Sequence, residues 1–326
     1  MPYIDDAPIV TVFGGAGYIG CILTRMLLDE GYRVRVVDNF LFGDHGIRFL
    51  AESPLLEIIE GDITDTKTVS TAINGAETVI LLAAIVGHRI ADLHGLDPRP
   101  VNLLASSVVL DASIEHGVNR FLFASTNSVY GVQSGVMYET TIPEPVSLYS
   151  RLKLRMEERV INSKRRSFHP TALRIATCHG YSPRMRFDLV ANSLMRDAVF
   201  KKEIRIASGE QWRALIHVED TARAFLSCIK AHVNLVSGEI FNVGCRDQNV
   251  QINHLANIVK TLVPDTNITF YESDPDLVDY HLSCSRIEKI LDFEPRWTIE
   301  KSMEELRDYL LSGRIGDPFS FQFQNT

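Results

Sequence analysis

A tyrosine and a lysine stand four residues apart in Leu148–Lys153 (LYSRLK), at the start of a segment with helical spacing. Side chains four residues apart lie on the same face of a helix, so Tyr149 and Lys153 can act on one substrate. Free tyrosine has a pKa of about 10, and an adjacent ammonium group favours the phenolate and lowers that pKa. The pair therefore suits removal of a proton from a hydroxyl group as hydride leaves the same carbon.

Thr126 supplies a third group for the same chemistry. It lies in Phe121–Gly131 (FLFASTNSVYG), just beyond the fifth predicted strand. In α/β folds, ligands bind at the carboxyl ends of parallel strands. The Thr126 hydroxyl can donate a hydrogen bond to, or accept one from, the oxygen that Tyr149 deprotonates. Ser125 and Ser128 are expected to bond loop backbone instead.

A glycine-rich turn connects the first predicted strand to the first predicted helix. Ile9–Phe13 runs into GGAGYIG, which supplies Gly14, Gly17 and Gly20, and helical spacing continues from Tyr18 to Glu30. Glycines are needed because the turn is tight, a pyrophosphate must approach bare backbone, and the helix packs closely on the strand. The start of the helix offers unpaired N–H groups and a positive dipole end to phosphates. The segment predicts a dinucleotide site.

Two carboxylates extend this prediction. Asp38 ends the second predicted strand, where a carboxylate accepts hydrogen bonds from ribose hydroxyls and repels a 2′-phosphate, which favours NAD over NADP. The alternative is an aspartate that caps its own loop. Asp62 comes after the third predicted strand, and the sequence leaves open whether it meets the adenine edge or serves as a helix N-cap.

The elements that must position these residues alternate along the first half of the chain. Short apolar strands separated by helices predict a doubly wound parallel sheet of the Rossmann type, an α/β fold covered on both faces. We place an NAD-binding domain at residues 1–175 and a smaller α/β substrate-binding lobe at 176–326, with segments that interdigitate. The residues after Gly313 could pair against a sheet edge or be loose, and we expect them to be loose. The predicted strands of the first half are Ile9–Phe13, Arg33–Val37, Leu56–Ile59, Thr78–Ala83 and Arg120–Ala124.

Composition excludes several other classes. The chain has 326 residues and a formal net charge of −8, without a Lys/Arg-rich block, so nucleic acid is not an expected partner. The longest apolar run, Thr78–Gly87, is too short to cross a bilayer, and the N-terminus does not resemble a signal peptide. Five scattered cysteines without a CxxC pair suit reduced thiols in the cytoplasm and no metal site.

Besides the glycine turn and YSRLK, the chain contains VVDN, GDITD, LLAA, Asn102, STNSVYG, LRIATCHG, WRALIHVED and FNVG. With these motifs it resembles, across nearly its whole length, the extended short-chain dehydrogenase/reductase family, in particular the nucleotide-sugar epimerases and dehydratases typified by UDP-glucose 4-epimerase. The resemblance implies bound NAD, a nucleoside diphosphate-sugar substrate and a homodimer.

On this resemblance, Tyr149, Lys153 and Thr126 are assigned to catalysis. The residues assigned to NAD are Gly14, Gly17, Tyr18, Ile19, Gly20, Asp38, Asn39, Asp62, Ile63, Leu82, Ala83, Ala84, Tyr149 and Lys153. The residues assigned to the substrate are Thr126, Thr177, Arg184, Arg186, Asn192 and Arg213.

The choice of reaction depends on the two residues after Thr126. The family's 4,6-dehydratases have an Asp and a Glu there, and its decarboxylases have the Glu, whereas this chain has Asn127 and Ser128. In those dehydratases the Asp protonates the leaving C6 hydroxyl and the Glu removes the C5 proton. Amide and hydroxyl groups cannot transfer these protons at neutral pH, so Asn127 and Ser128 favour a 4-epimerase. LRIATCHGYSPRMRFDLVANSL and SDPDLVDY resemble a subgroup with NAD-dependent 4-dehydrogenases of GDP-manno-heptose, so that alternative stays open. A non-catalytic NAD sensor is disfavoured because Tyr149 and Lys153 are both present.

The predicted partners of the substrate diphosphate are arginines, whose planar fork meets phosphate oxygens bidentately. Arg213, in the segment QWRALIH, matches the family's phosphate-binding arginine. The family's usual Asn in LRxxN is Thr177 here, and its second phosphate arginine, expected near Ser273, is missing. Arg184 and Arg186 are the candidates to compensate.

Overall fold

A seven-stranded sheet forms the centre of the molecule in the computed structural model, which describes residues 7–86, 97–207, 209–271 and 281–325. Its strand order is β11-β7-β5-β4-β1-β2-β3, and every pairing is parallel. The predicted Rossmann-type sheet is confirmed. Its strands are β1 (Ile9–Phe13), β2 (Arg33–Asp38), β3 (Leu56–Glu60), β4 (Thr78–Leu81), β5 (Arg120–Thr126), β7 (His169–Ile175) and β11 (Glu239–Val243).

Helices cover both faces of this sheet, which explains why its strands are apolar at consecutive positions. In β5, Leu122 packs into one buried cluster and Phe121 and Phe123 into the other. Side chains alternate between the two faces of a strand, so a sheet buried on both faces needs apolar residues throughout. The helices are α1 (Tyr18–Asp29), α2 (His45–Arg48), α3 (Thr66–Ile73), α4 (Ser106–Glu115), α5 (Leu148–Asn162), α6 (Val190–Lys201), α7 (Val218–Lys230), α8 (Val233–Val236), α9 (Ile252–Leu262), α10 (Ser285–Leu291) and α11 (Ile299–Leu311).

Within the described residues, strands mostly from the second half of the chain form three smaller sheets, and that half also returns one strand to the main sheet. β10 (Trp212–His217) lies between β8 (Thr177–His179) and β12 (Asn249–Gln251). β9 (Glu203–Ala207) pairs with β13 (Asn267–Tyr271), and β6 (Val136–Met137) with β14 (His281–Leu282). β11 then adds to the main sheet beside β7. The division at residue 175 stays a prediction, with β11 as a segment that crosses back.

A π-helical turn, Pro100–Ala105, leads into α4. The residues after Gly313 were expected to be loose, and this was wrong. A 3₁₀ turn forms at Phe321–Phe323, Phe323 is buried, and its carbonyl oxygen accepts a 2.7 Å hydrogen bond from the Phe187 amide. The aromatic side chains give these residues apolar surface to bury, which outweighs the entropy of a free segment.

Candidate active site

A cavity of about 720 Å³ opens where β1, β2, β4 and β5 end, at the carboxyl edge of the main sheet. All of the residues assigned to catalysis, NAD or substrate line it, with the exception of Asn192. Its volume lies in the range typical of small-molecule and cofactor sites. Among the residues that the structure describes, no cluster of His, Cys, Asp and Glu could hold a metal ion, and no helix is long and apolar enough to span a bilayer.

The glycine turn is tight enough to require its glycines. Gly14 has φ of +84°, and a Cβ there would lie 2.6 Å from the Ala83 backbone nitrogen. A Cβ on Gly20 would lie 2.7 Å from Gly15 Cα. Gly17 is the N-cap of α1 and offers no side-chain cap, so the first N–H groups of the helix remain available at the cavity wall. This cradle fits the pyrophosphate of a dinucleotide.

Asp38 ties the glycine turn to the loop after β2. Its carboxylate accepts 3.0 Å hydrogen bonds from the backbone N–H groups of Ala16 and Phe40. Burial raises the pKa of Asp38, and these two hydrogen bonds partly offset that rise. Each oxygen accepts one backbone bond, which leaves a lone pair on each for ribose hydroxyls.

Asp62 is held by its neighbours and does not cap a helix. It accepts hydrogen bonds from the Thr64 amide and hydroxyl and from Asn39 Nδ2, at 2.7–2.8 Å. Although burial opposes it, these hydrogen bonds lower the pKa of Asp62. The N-cap of α3 is Asp65, so the N-cap alternative for Asp62 was wrong. Contact with adenine stays a prediction.

Helix α5 brings the predicted catalytic residues together. It begins at a capping box in which the Ser147 side chain accepts from the Ser150 amide and the Ser150 side chain accepts from the Ser147 amide, each at 3.1 Å. Tyr149 then shares a side-chain hydrogen bond with Thr126, at the end of β5. Thr126 Oγ1 also lies 2.7 Å from the Ser128 hydroxyl. A hydroxyl–phenol pair is thereby fixed at the cavity wall.

The charges around Tyr149 differ from the expectation. Burial raises the pKa of Tyr149 to about 12, while the positive charge of Arg186 and the Thr126 hydrogen bond oppose that rise. Lys153 Nζ donates a 2.8 Å bond to the Ala124 carbonyl oxygen and lies 4.7 Å from the centroid of the Phe123 ring. Burial lowers the pKa of Lys153 to about 7. In this structure, Arg186 is therefore the cation that lowers the pKa of Tyr149. A positive charge on Lys153 is unfavourable because the side chain is buried.

A buried ion pair behind the site was not found by sequence reasoning. Glu157 pairs with Arg174 at 2.7 Å, with side chains 1% and 4% exposed. Glu157 also accepts a 2.6 Å bond from the Ser125 hydroxyl, so Ser125 bonds a side chain and not the loop backbone. The signal was present in the sequence, because Tyr149, Lys153 and Glu157 recur every four residues and lie on one face of α5.

Asn192 is placed outside the cavity, which argues against the predicted substrate contact. Its Oδ1 accepts from the Gly180 amide at 3.0 Å, and its Nδ2 donates to Tyr18 Oη and the Arg186 carbonyl oxygen. The side-chain amide is fully used within the protein. The Tyr18 side chain is likewise buried and donates to the Gly180 carbonyl oxygen.

The other predicted substrate residues all reach the cavity wall. Arg186 is paired with Asp188, and Arg213 Nη1 donates a 2.9 Å bond to the Trp212 carbonyl oxygen. Arg184 is 2% exposed and lies over the ring of Phe42, in the loop after β2. Thr177 begins β8. The region of Ser273 lies outside the described residues.

These observations define an α/β enzyme site with a dinucleotide cradle and a Thr-Tyr-Lys constellation. The model for the NAD dependent epimerase/dehydratase family matches residues 10–244. The chain belongs to this family and is accordingly an NAD-dependent enzyme of the extended short-chain dehydrogenase/reductase type.

Three similar proteins cover most of the chain. The low-salt glycan biosynthesis protein Agl12 of Haloferax volcanii is 27% identical over 93% of this chain and 98% of its own length. The UDP-glucose 4-epimerase of Corynebacterium glutamicum is 27% identical over 72% of this chain and 75% of its own. The structure of UDP-glucuronic acid 4-epimerase from Bacillus cereus, in complex with UDP-glucuronic acid and NAD, has a TM-score of 0.86 at 25% identity, covering 93% of this chain and 99% of the other.

Proposed function

We propose that the protein is a nucleotide-sugar 4-epimerase that acts on a UDP-sugar. The observation that carries this proposal is the placement of Thr126, Tyr149 and Lys153 in the same cavity as the glycine turn and Asp38. The two named 4-epimerases to which the chain is similar, from C. glutamicum and B. cereus, support the reaction and the choice of UDP.

In this proposal, Tyr149 removes the proton of the C4 hydroxyl and later returns one to the new C4 oxygen. A bound NAD would supply the acceptor for the C4 hydride and, in its reduced form, the donor that gives the hydride back on the other face of the sugar. Thr126 bonds the same sugar oxygen and keeps the phenol of Tyr149 in line with it, because the two side chains are already hydrogen-bonded. Arg186 favours the phenolate by its charge.

The residues beside Thr126 support epimerisation over elimination of water. Asn127 and Ser128 line the cavity at the positions where a dehydratase would need carboxyl groups. Neither side chain can protonate a leaving hydroxyl or remove a carbon-bound proton near neutral pH. The 4-dehydrogenase alternative shares the first half-reaction and is separated from the epimerase by its product.

The two ligands are assigned to different parts of the wall. Asp38, with Asn39 and Asp62, binds the adenosine end of NAD, and the glycine turn binds its pyrophosphate. Arg213, with Thr177 and Arg186, binds the sugar nucleotide. The protein is expected to act in the cytoplasm, in keeping with five cysteines that form no disulfide. It is also expected to be a homodimer, which light scattering of the purified protein tests by measuring its mass.

The test is to incubate the purified protein with UDP-, GDP- and dTDP-sugars and to read product mass and the absorbance of reduced nicotinamide. The proposal expects an isomer of unchanged mass from a UDP-sugar. Loss of two hydrogens would indicate a 4-dehydrogenase, and loss of water a dehydratase. NAD bound without turnover of any sugar nucleotide would indicate a sensor.

A further inference from the structure

Arg184 comes from the loop after β8 but reaches the wall of the cavity next to the glycine turn. Its Cζ lies 4.2 Å from the centroid of the Phe42 ring. A Cβ built on Gly46 would lie 2.8 Å from Arg184 Cβ and 3.3 Å from the Ala16 carbonyl oxygen, so the three residues meet. Phe42 and Gly46 come after β2 in the chain. Arg184 therefore lies on the side of the cavity where the fold places the adenosine diphosphate part of a dinucleotide.

The guanidinium of Arg184 is short of partners. Its Nη2 donates to Asn325 Oδ1, which is a neutral amide oxygen. Within the described residues nothing accepts a hydrogen bond from its buried Nε, and no carboxylate lies within ion-pair distance of it. Burial lowers the pKa of Arg184 to about 10 and the charge of Arg186 adds to that effect, while the more distant charges of Asp188 and Asp38 oppose it. A buried cation at the wall of a cavity, without an ion-pair partner in the described residues, calls for an anion in that cavity.

The partner of Arg184 belongs to a segment that we name the strap, Phe319–Asn325. Phe321 lies against Phe42, with ring centroids 5.5 Å apart, and Phe323 packs edge-on to both His45 and Phe187. The strap thus joins the loop after β2 to the loop that carries Arg184. Its Asn325 is 9% exposed and forms part of the cavity wall.

We propose that Arg184, held in place by Asn325 of the strap, contacts the pyrophosphate of the bound dinucleotide, and that the strap thereby slows release of the cofactor. Sequence reasoning assigned Arg184 to the substrate diphosphate. Its neighbours Phe42, Gly46 and Ala16 place it with the cofactor instead. A protein that uses NAD in every turnover without consuming it gains from slow release. The proposal rests on NAD as the cofactor and holds for any reaction of the sugar.

The experiment compares the full-length protein with two variants. Arg184→Met removes the charge, and exposed Arg166→Met is its matched control. Asn325→Asp keeps the shape of the side chain but gives Arg184 a carboxylate partner, which competes with a phosphate; exposed Gln322→Ala is the control in the strap. Each protein is saturated with NAD, and exchange into excess isotopically labelled NAD is followed by mass spectrometry.

Loss of a charge-assisted hydrogen bond is expected to speed exchange about tenfold or more in Arg184→Met, and in the same direction in Asn325→Asp. ADP should lose about tenfold in its ability to compete with NAD, whereas adenosine, which has no phosphate, should be unaffected. Binding of UDP to the NAD-loaded protein should change by less than about twofold.

Three results would overturn the proposal. One is exchange at the wild-type rate in folded Arg184→Met or, should that variant not fold, in Asn325→Asp. A second is an equal loss for ADP and adenosine, which would indicate a packing role. A third is weakened UDP binding with unchanged exchange, which would return Arg184 to the substrate diphosphate.

Discussion

The phenol of Tyr18, in the first turn of α1, donates a 2.7 Å hydrogen bond to the carbonyl oxygen of Gly180, in the loop after β8. The same phenol oxygen accepts a hydrogen bond from Asn192 Nδ2, at the start of α6. The helix after the glycine turn is thereby joined to the loop that carries Arg184 and Arg186. The cofactor cradle and the predicted substrate residues are held in one arrangement by two buried side chains.

Tyr18→Phe should destabilise the protein by about 1–3 kcal/mol, because the Gly180 carbonyl oxygen and Asn192 Nδ2 each lose a buried partner. Urea unfolding measures the change, with exposed Tyr138→Phe as the control. Equal stability of the two variants would mean that this buried bond contributes nothing.

Glu157→Gln should cost about 3–5 kcal/mol, because it leaves Arg174 buried and without its ion-pair partner. The adjacent and exposed Glu158→Gln is the matched control and should change stability by less than about 0.5 kcal/mol. Arg174→Met added to Glu157→Gln should recover part of the loss, and a double-mutant cycle measures the coupling. If the effects of the two substitutions simply add in that cycle, Glu157 and Arg174 do not stabilise the protein as an ion pair.

Lys153 should make stability depend on pH in the cofactor-free protein. Its pKa is about 7 when folded and about 10.4 when unfolded, so the folded state releases the proton first. The cost of the buried charge is fully present below pH 7 and is relieved as pH rises toward 10. Each pKa unit corresponds to about 1.4 kcal/mol, so Lys153→Met should be more stable than the wild type at pH 6 by a few kcal/mol.

That advantage should shrink steadily between pH 7 and pH 10. Unfolding in urea across this range measures it, with exposed Lys67→Met as the control. If the difference in unfolding free energy between Lys153→Met and the wild type is constant across pH, the charge of Lys153 does not destabilise the folded state.

Arg186→Met should move the acidic limb of the pH profile of kcat/KM to higher pH. The Arg186 charge lowers the pKa of Tyr149, so its removal raises that pKa, and the phenolate base forms only in more alkaline solution. Arg213→Met should raise KM and leave the limb in place. A limb that stays where it is in Arg186→Met would show that Arg186 does not act on Tyr149.

The sheet and the cavity could be predicted because their signals are local. The glycine turn, Asp38 and the spacing of Tyr149 and Lys153 are each contained in one strand–helix unit. Contacts between segments that are far apart in the sequence leave no comparable local pattern of residues. Phe323 was expected to be loose, although it packs on Phe187, and Asn192 was assigned to substrate, although its amide is used by Tyr18 and Gly180. Which groups pair in the interior depends on the folded arrangement of distant segments.

In a 4-epimerase of this type, hydride leaves C4 of the UDP-sugar and returns to the same carbon. A UDP-sugar carrying deuterium at C4 tests this most directly, with the product examined by NMR and mass spectrometry. We predict a C4 epimer of unchanged mass that keeps its deuterium at C4, and no such product from Tyr149→Phe. Exchange of the deuterium for solvent hydrogen, or an epimer formed at the wild-type rate by Tyr149→Phe, would contradict the proposed function.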